Sequence, residues 1–298
     1  MGRMKKNKLN NLIIVLIILV SCGKTSSTSP GGNGTGGGGN GGGTDGNNNK
    51  ACAIAAISQV NSGSGAEFSL TAQYNSSYNV TRLVIYDSVN KVKNFEADFN
   101  YITKDSVRID QYQYLILDTS GRVIRFATKS DMSAPQNSDD YRFEYTYNAQ
   151  GYLVTKNLFI NSSALPNFST AYSYTNNLLT SCIMTAVSSG NLKVLESNLI
   201  YDGTLSIKNW IYTFPDAMEE YRYSTVLNFG NHSANPLKQV TTKIYNPSTG
   251  ILLDTWTTTY GNYVMDTNGH ILSGEANGDL QQGIASFYGK TNFYYSCH

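Results

Sequence analysis

Leu117-Asp118-Thr119-Ser120-Gly121-Arg122-Val123 sets a frame that returns at Tyr147-Asn148-Ala149-Gln150-Gly151-Tyr152-Leu153 and at Met265-Asp266-Thr267-Asn268-Gly269-His270-Ile271. Each copy reads large apolar or aromatic, Asp or Asn, two small or polar residues, Gly, any residue, apolar. The Asx side chain accepts a backbone N–H two residues on, the middle pair fits a type I turn, and Gly takes the left-handed position that closes a bulge. A chain built from such units folds as β-hairpins. Tyr86-Asp87-Ser88-Val89-Asn90-Lys91-Val92 fits with Asn90 in the left-handed place, and looser copies start at Tyr174, Tyr201 (with Asp202) and Tyr245. The spacing suggests a two-hairpin unit of about 27 to 31 residues.

The segments between the turns alternate. Tyr141-Arg142-Phe143-Glu144-Tyr145-Thr146-Tyr147 places four aromatics on one face, and Tyr221-Tyr223-Thr225-Leu227 reads as another such strand. No capped stripe of helical period is sustained; Ala51 to Val60 alone reads equally as a short helix or an edge strand. The expected fold is all-β, an antiparallel meander of about 14 to 16 strands curled into a roll or incomplete barrel.

Two segments precede this body, which spans residues 51–298. Residues 1–21 carry Arg3, Lys5, Lys6 and Lys8 ahead of an apolar run from Leu12 to Val20, too short for the roughly 20 residues that span a bilayer, so the segment reads as an export signal. Residues 22–50 are Cys22 followed by sequence that is nearly all Gly, Asn, Ser and Thr. With no large apolar side chain to bury between Gly31 and Asn49, this stretch reads as a flexible tether about 30 Å end to end. Loss of the basic leader would turn a formal net charge of +1 into a slightly acidic balance, and no basic patch supports a nucleic-acid partner.

Leu19-Val20-Ser21-Cys22 resembles the bacterial lipobox. The resemblance implies that Cys22 becomes a diacylated, N-acylated first residue, that outer-membrane lipid is the first partner, and that Gly23-Lys24, with no acidic cluster after Cys22, favours the periplasmic face of the outer membrane. The aromatic-Asp-x-x-Gly-Arg-apolar frame resembles the YD repeats of RHS-type proteins. Lipobox, Gly-rich tether and degenerate YD-like hairpins together resemble lipoproteins of Bacteroidota. Asp87-Ser88-Val89 and Asp105-Ser106-Val107 resemble the acceptor at which Bacteroidota O-glycosylate exported proteins, which makes Ser88 and Ser106 the candidate modification sites.

Little in the sequence signals chemistry. His232, His270 and His298 lack metal-ligand spacing and read as surface side chains. No nucleophile elbow, metalloprotease helix or C-x-x-C motif occurs, and Asp139-Asp140 and Glu219-Glu220 read as solvated loop charge. No catalytic residue, metal site or cofactor is expected. Cys22 apart, Cys52, Cys182 and Cys297 form an odd set; a bridge from Cys52 to Cys297 is the preferred pairing, because domain ends are often close in space, with thiols throughout as the alternative. The 22 Tyr against 11 Phe suit stacking on sugars or docking of peptides, or simply half-wet strands. A non-catalytic binding or structural role in the envelope, with a glycan or a protein as partner, is the expected function. The alternative is an envelope hydrolase acting on glycans through carboxylates distant in sequence.

Overall fold

The structure is a computed structural model that describes residues 52–60, 68–87, 92–129, 133, 139–208, 223–279 and 289–297. Alternating sequence becomes seventeen strands in one antiparallel sheet. The first nine are β1 (Cys52–Val60), β2 (Phe68–Tyr74), β3 (Val80–Asp87), β4 (Val92–Asp98), β5 (Asn100–Thr103), β6 (Ser106–Arg108), β7 (Gln113–Leu117), β8 (Val123–Thr128) and β9 (Tyr141–Tyr147). The rest are β10 (Leu153–Ile160), β11 (Phe168–Thr175), β12 (Leu178–Ala186), β13 (Leu192–Tyr201), β14 (Leu237–Tyr245), β15 (Leu252–Met265), β16 (Ile271–Gly278) and β17 (Gly289–Cys297). The region left open between helix and strand, Ala51 to Val60, is strand β1 from Cys52 on.

Every strand pairs with its neighbours in sequence except across β4 and β5, and the ends of the meander meet: β1 pairs with β17 from Cys52↔Cys297 to Val60↔Lys290. The result is a nearly closed barrel whose open seam lies between β4 and β5. Phe99 alone separates those two, and its N–H still donates to the Thr81 carbonyl at 2.9 Å. A bend at Phe99 therefore splits one extended run into two strands, which takes the count past the expected range.

Turns set the register. Ladder shifts fall at Gln73/Tyr74, Ile85/Tyr86, Ser173/Tyr174, Ile200/Tyr201 and Ile244/Tyr245, so tyrosines repeatedly occupy the bulge beside a turn, where extra twist is taken up. One sheet face is buried. It holds an aromatic cluster in which Phe126 stacks on Phe143 at 6.0 Å between centroids and lies 6.4 Å from Tyr141. The stretch expected as a strand over 221–227 is corrected at its described residues: Tyr223–Val226 is a turn, with the Val226 and Leu227 N–H groups both donating to the Tyr223 carbonyl. Burial of an aromatic ring overrode local alternation. Tyr223 is 2% exposed and packs on Phe95, Phe99 and Phe126 at 5.8, 5.9 and 5.6 Å, while its hydroxyl donates to Gln113 Oε1 at 2.8 Å. One side chain thus joins both banks of the seam from within.

Candidate functional site

The hairpin frame builds one end of the barrel. Asp118 Oδ1 accepts the N–H groups of Ser120 and Arg122, Asn148 Oδ1 those of Gln150 and Tyr152, and Asp266 Oδ1 those of Asn268 and His270. Gly121, Gly151 and Gly269 sit at φ 73°, 83° and 86°. Asn75 makes the same turn over 75–79, with Tyr78 at φ 62° where glycine stands elsewhere; lacking that glycine, this copy gave no sequence signal. The Tyr174 copy is a two-residue turn with Asn176 and Asn177 both left-handed.

Asp202 departs from the expected hairpin turn. Its Oδ1 accepts the Thr204 N–H at 2.9 Å, but no hairpin partner strand follows directly: among the described residues the next strand is β14, from Leu237. Apart from Tyr223, whose ring enters the barrel, described parts of this connection bond to the turns at the same end. Asn228 O accepts the Val123 N–H, Asn231 N–H donates to Gly151 O, Lys208 N–H donates to Gly269 O, and the Leu179 N–H donates to Ser233 Oγ. Gly230 is required there: a Cβ would fall 2.5 Å from Gly151 O and 2.7 Å from Tyr147 Cε1. Asp87 ends β3, and Ser88 and the rest of its turn lie outside the described residues, as do Cys22, the tether, Glu219-Glu220 and His298. Ser106 is half-buried at the start of β6, opposite Ile116.

Cys52 and Cys297 are joined by a disulfide with Cα atoms 4.1 Å apart, at the same end of the barrel as these turns. Cys182 is a buried thiol in β12. Two histidines read as surface groups are not so placed. His270 is 7% exposed, its Nδ1 2.7 Å from Asp266 Oδ2 and its ring 5.2 Å from Tyr295. His232 is half-buried and burial lowers its pKa.

Among the described residues a buried set of ionisable groups lies at the opposite end, and the sequence reading missed it. Asp139, expected as solvated loop charge, is 1% exposed, and Lys129 is 5% exposed. Lys129 Nζ stands 3.8 Å from Asp139 Oδ1. The Tyr114 hydroxyl donates to both carboxylate oxygens, at 2.9 and 3.0 Å, and itself accepts from Arg125. Arg125 Nη2 and Arg142 Nε meet on Glu144 Oε1 at 3.0 and 2.9 Å, with Arg142 3.9 Å over the Phe159 ring. Burial raises the Asp139 pKa, against the pull of the Tyr114 hydrogen bond and the cations. Burial and the Asp139 carboxylate push Tyr114 up to about 12. The paired residues are ten apart in sequence, and the pairing of β7, β8 and β9 brings Tyr114, Lys129 and Asp139 to one place. Among the described residues no group of three or more His, Cys, Asp or Glu is placed to hold a metal ion.

The exposed sheet face mixes polar side chains with exposed apolar ones, among them Ile200, Leu252, Val264 and Leu272. Across β13 to β15, Asn198 pairs with Thr241 and Thr241 with Thr257, while Gln239 pairs with Thr259. β11 shows Ala171, Ser173 and Thr175 outward, and β17 shows Lys290, Asn292 and Tyr294. Their alternating partners Thr170, Tyr172, Ser197, Leu199, Val240, Thr291 and Phe293 are buried.

No family model matches the chain, and no curated protein matches it. Among solved structures, it is similar to a porin-like protein from Bacteroides uniformis at 14% identity, covering 82% of this chain and 96% of that one with a TM-score of 0.55. A porin-like protein from Bacteroides vulgatus is similar at 10% identity, with 83% and 99% coverage and a TM-score of 0.48. A TcdB2-TccC3 structure shares 14% identity over 78% of this chain and 10% of its own, with a TM-score of 0.30. The first likeness shows the fold.

Proposed function

We propose that this chain is a lipid-anchored protein of the bacterial outer membrane whose barrel stands in water and works by binding an envelope glycan or protein, without catalysis. The outward face carries this reading. A barrel that crosses a bilayer turns a continuous apolar band of side chains to lipid, whereas here Thr, Asn, Gln, Ser and Lys hold many outward positions of β11, β13, β14, β15 and β17, with Ile200, Leu252, Leu253, Val264 and Tyr294 among them. Attachment then falls to Cys22, and each buried methylene of its acyl chains would contribute about 0.8 kcal/mol. Hydroxyl and amide side chains repeat along the ladder at the strand spacing of about 4.8 Å, a surface able to hydrogen-bond glycan hydroxyls without a cleft. The periplasmic face is favoured because no acidic cluster follows Cys22.

Metabolic labelling with an alkyne fatty acid tests the anchor. The wild-type chain should take up label in a diderm host and Cys22→Ser should not; equal labelling of both would contradict the reading.

A further inference from the structure

We propose that Lys129 and Asp139 form an intramolecular isopeptide bond, a side-chain amide that clasps β8 to β9. The side chains are 6% and 0% exposed, so an ion pair there bears the desolvation cost of two charges, which a neutral amide would remove. The Nζ to Oδ1 separation of 3.8 Å exceeds the roughly 2.7 to 2.9 Å of a charge-assisted hydrogen bond. The amine stands within reach of the carboxyl.

Both backbones are held in place for the reaction. The Lys129 N–H donates to Tyr112 O at 2.8 Å and the Asp140 N–H to Thr128 O at 2.9 Å, while the Asp139 and Asp140 carbonyls accept from Ser162 and Asn161. Fixed reactants of this kind convert a bimolecular condensation into an intramolecular one.

Atoms and electrons balance without any co-reactant. One proton passes from the Lys129 ammonium to the Asp139 carboxylate, giving amine and carboxylic acid, and burial already biases that carboxyl toward its neutral form. The nitrogen lone pair attacks Cγ, the Nζ–Cγ bond forms and one Cγ–O bond breaks. The departing hydroxyl leaves as water with a second proton from the nitrogen, and the third stays on the amide. Tyr114 is the positioning residue: its hydroxyl, fed by Arg125, donates to the carboxyl oxygens. It would draw electrons from Cγ and steady the negative oxygen of the tetrahedral intermediate.

Mass analysis of the wild-type full-length chain, unfolded and with its disulfide reduced, is the test. Trypsin should fail to cut after Lys129, and the peptide Phe126 to Arg142 should be lighter by one water. Chemical cleavage at Met132, between the two residues, should leave its halves joined. In Lys129→Arg trypsin should cut after position 129 and both fragments should carry their full mass, and Tyr114→Phe should leave a larger uncrosslinked fraction in freshly made protein. Wild-type protein cut after Lys129 into two fragments of full mass overturns the proposal. So does a lost water that persists in Lys129→Arg, or halves that separate at Met132, since a succinimide at Asp139 would behave that way.

Discussion

The hydroxyl of Tyr147 donates to the carbonyl of Val123 at 2.6 Å, tying the end of β9 to the start of β8. Tyr74 does the same to Ile54, Tyr263 to Leu237 and Tyr295 to Ile271, at 2.8, 2.7 and 2.6 Å. Each reaches the adjacent strand at the barrel end that the Asx turns close. Burial raises the pKa of all four phenols, so they remain protonated donors across the physiological range. The Tyr-Asn pairs at Tyr74-Asn75 and Tyr147-Asn148 therefore carry two tasks in succession, a strand staple and then a turn.

Tyr147→Phe should lower stability by about 1 to 2 kcal/mol, because it leaves the Val123 carbonyl without this donor. Tyr294→Phe, at an exposed ring, should change it by less than about 0.5 kcal/mol. Denaturant midpoints measure both. Equal effects would deny the staple.

Gly230→Ala should be far more damaging than Gly121→Ala. Both glycines hold positive φ, at 92° and 73°, but a Cβ at Gly121 meets nothing within 4 Å, whereas at Gly230 it would strike the Gly151 carbonyl. Backbone strain alone costs about 1 kcal/mol; thermal melts of the two variants should separate by several degrees, and coincident melts would place the long connection elsewhere.

Reduction of the Cys52 to Cys297 disulfide should lower the melting temperature of the barrel. The bridge spans a sequence separation of 245 residues, for which chain entropy sets an upper limit near 5 kcal/mol. A melting temperature unchanged by reductant would show that the ladder closes without it.

Acid should weaken the Asp118 turn before the Asn148 turn. Burial opposes ionisation of Asp118, but the Arg122 guanidinium and the N–H groups of Arg122 and Ser120 outweigh it and hold its carboxyl below the ordinary value. A depressed folded pKa contributes stability above the unfolded value of about 3.9, and that contribution is lost as pH falls through the folded value. Asn148 accepts the equivalent N–H groups without a charge. Asp118→Asn should flatten the fall in stability below about pH 4; an unchanged acid profile would exclude Asp118 as a source.

Hairpins and fold class were legible because Asx-x-x-Gly turns and strict alternation, as in Tyr141 to Tyr147, are local signals. The Asn75 turn was not, since Tyr78 stands in its left-handed position. Tyr223 was misassigned because its alternation with Tyr221 and Thr225 is indistinguishable from a strand until Phe95, Phe99 and Phe126 enclose the ring. Lys129, Asp139 and Tyr114 escaped for a related reason: their meeting depends on which strands pair, and adjacent Asp residues look solvated until a fold buries one of them.

Fractionation of a chain in which residues 1–22 are replaced by a cleavable export signal without a lipobox, made in a diderm host, tests most directly the claim that the barrel stands in water and is held to the membrane by lipid alone. The account predicts folded protein in the soluble fraction without detergent, against a wild-type chain that sediments with outer membrane. A chain so exchanged that stays in the outer membrane and needs detergent for release would contradict it.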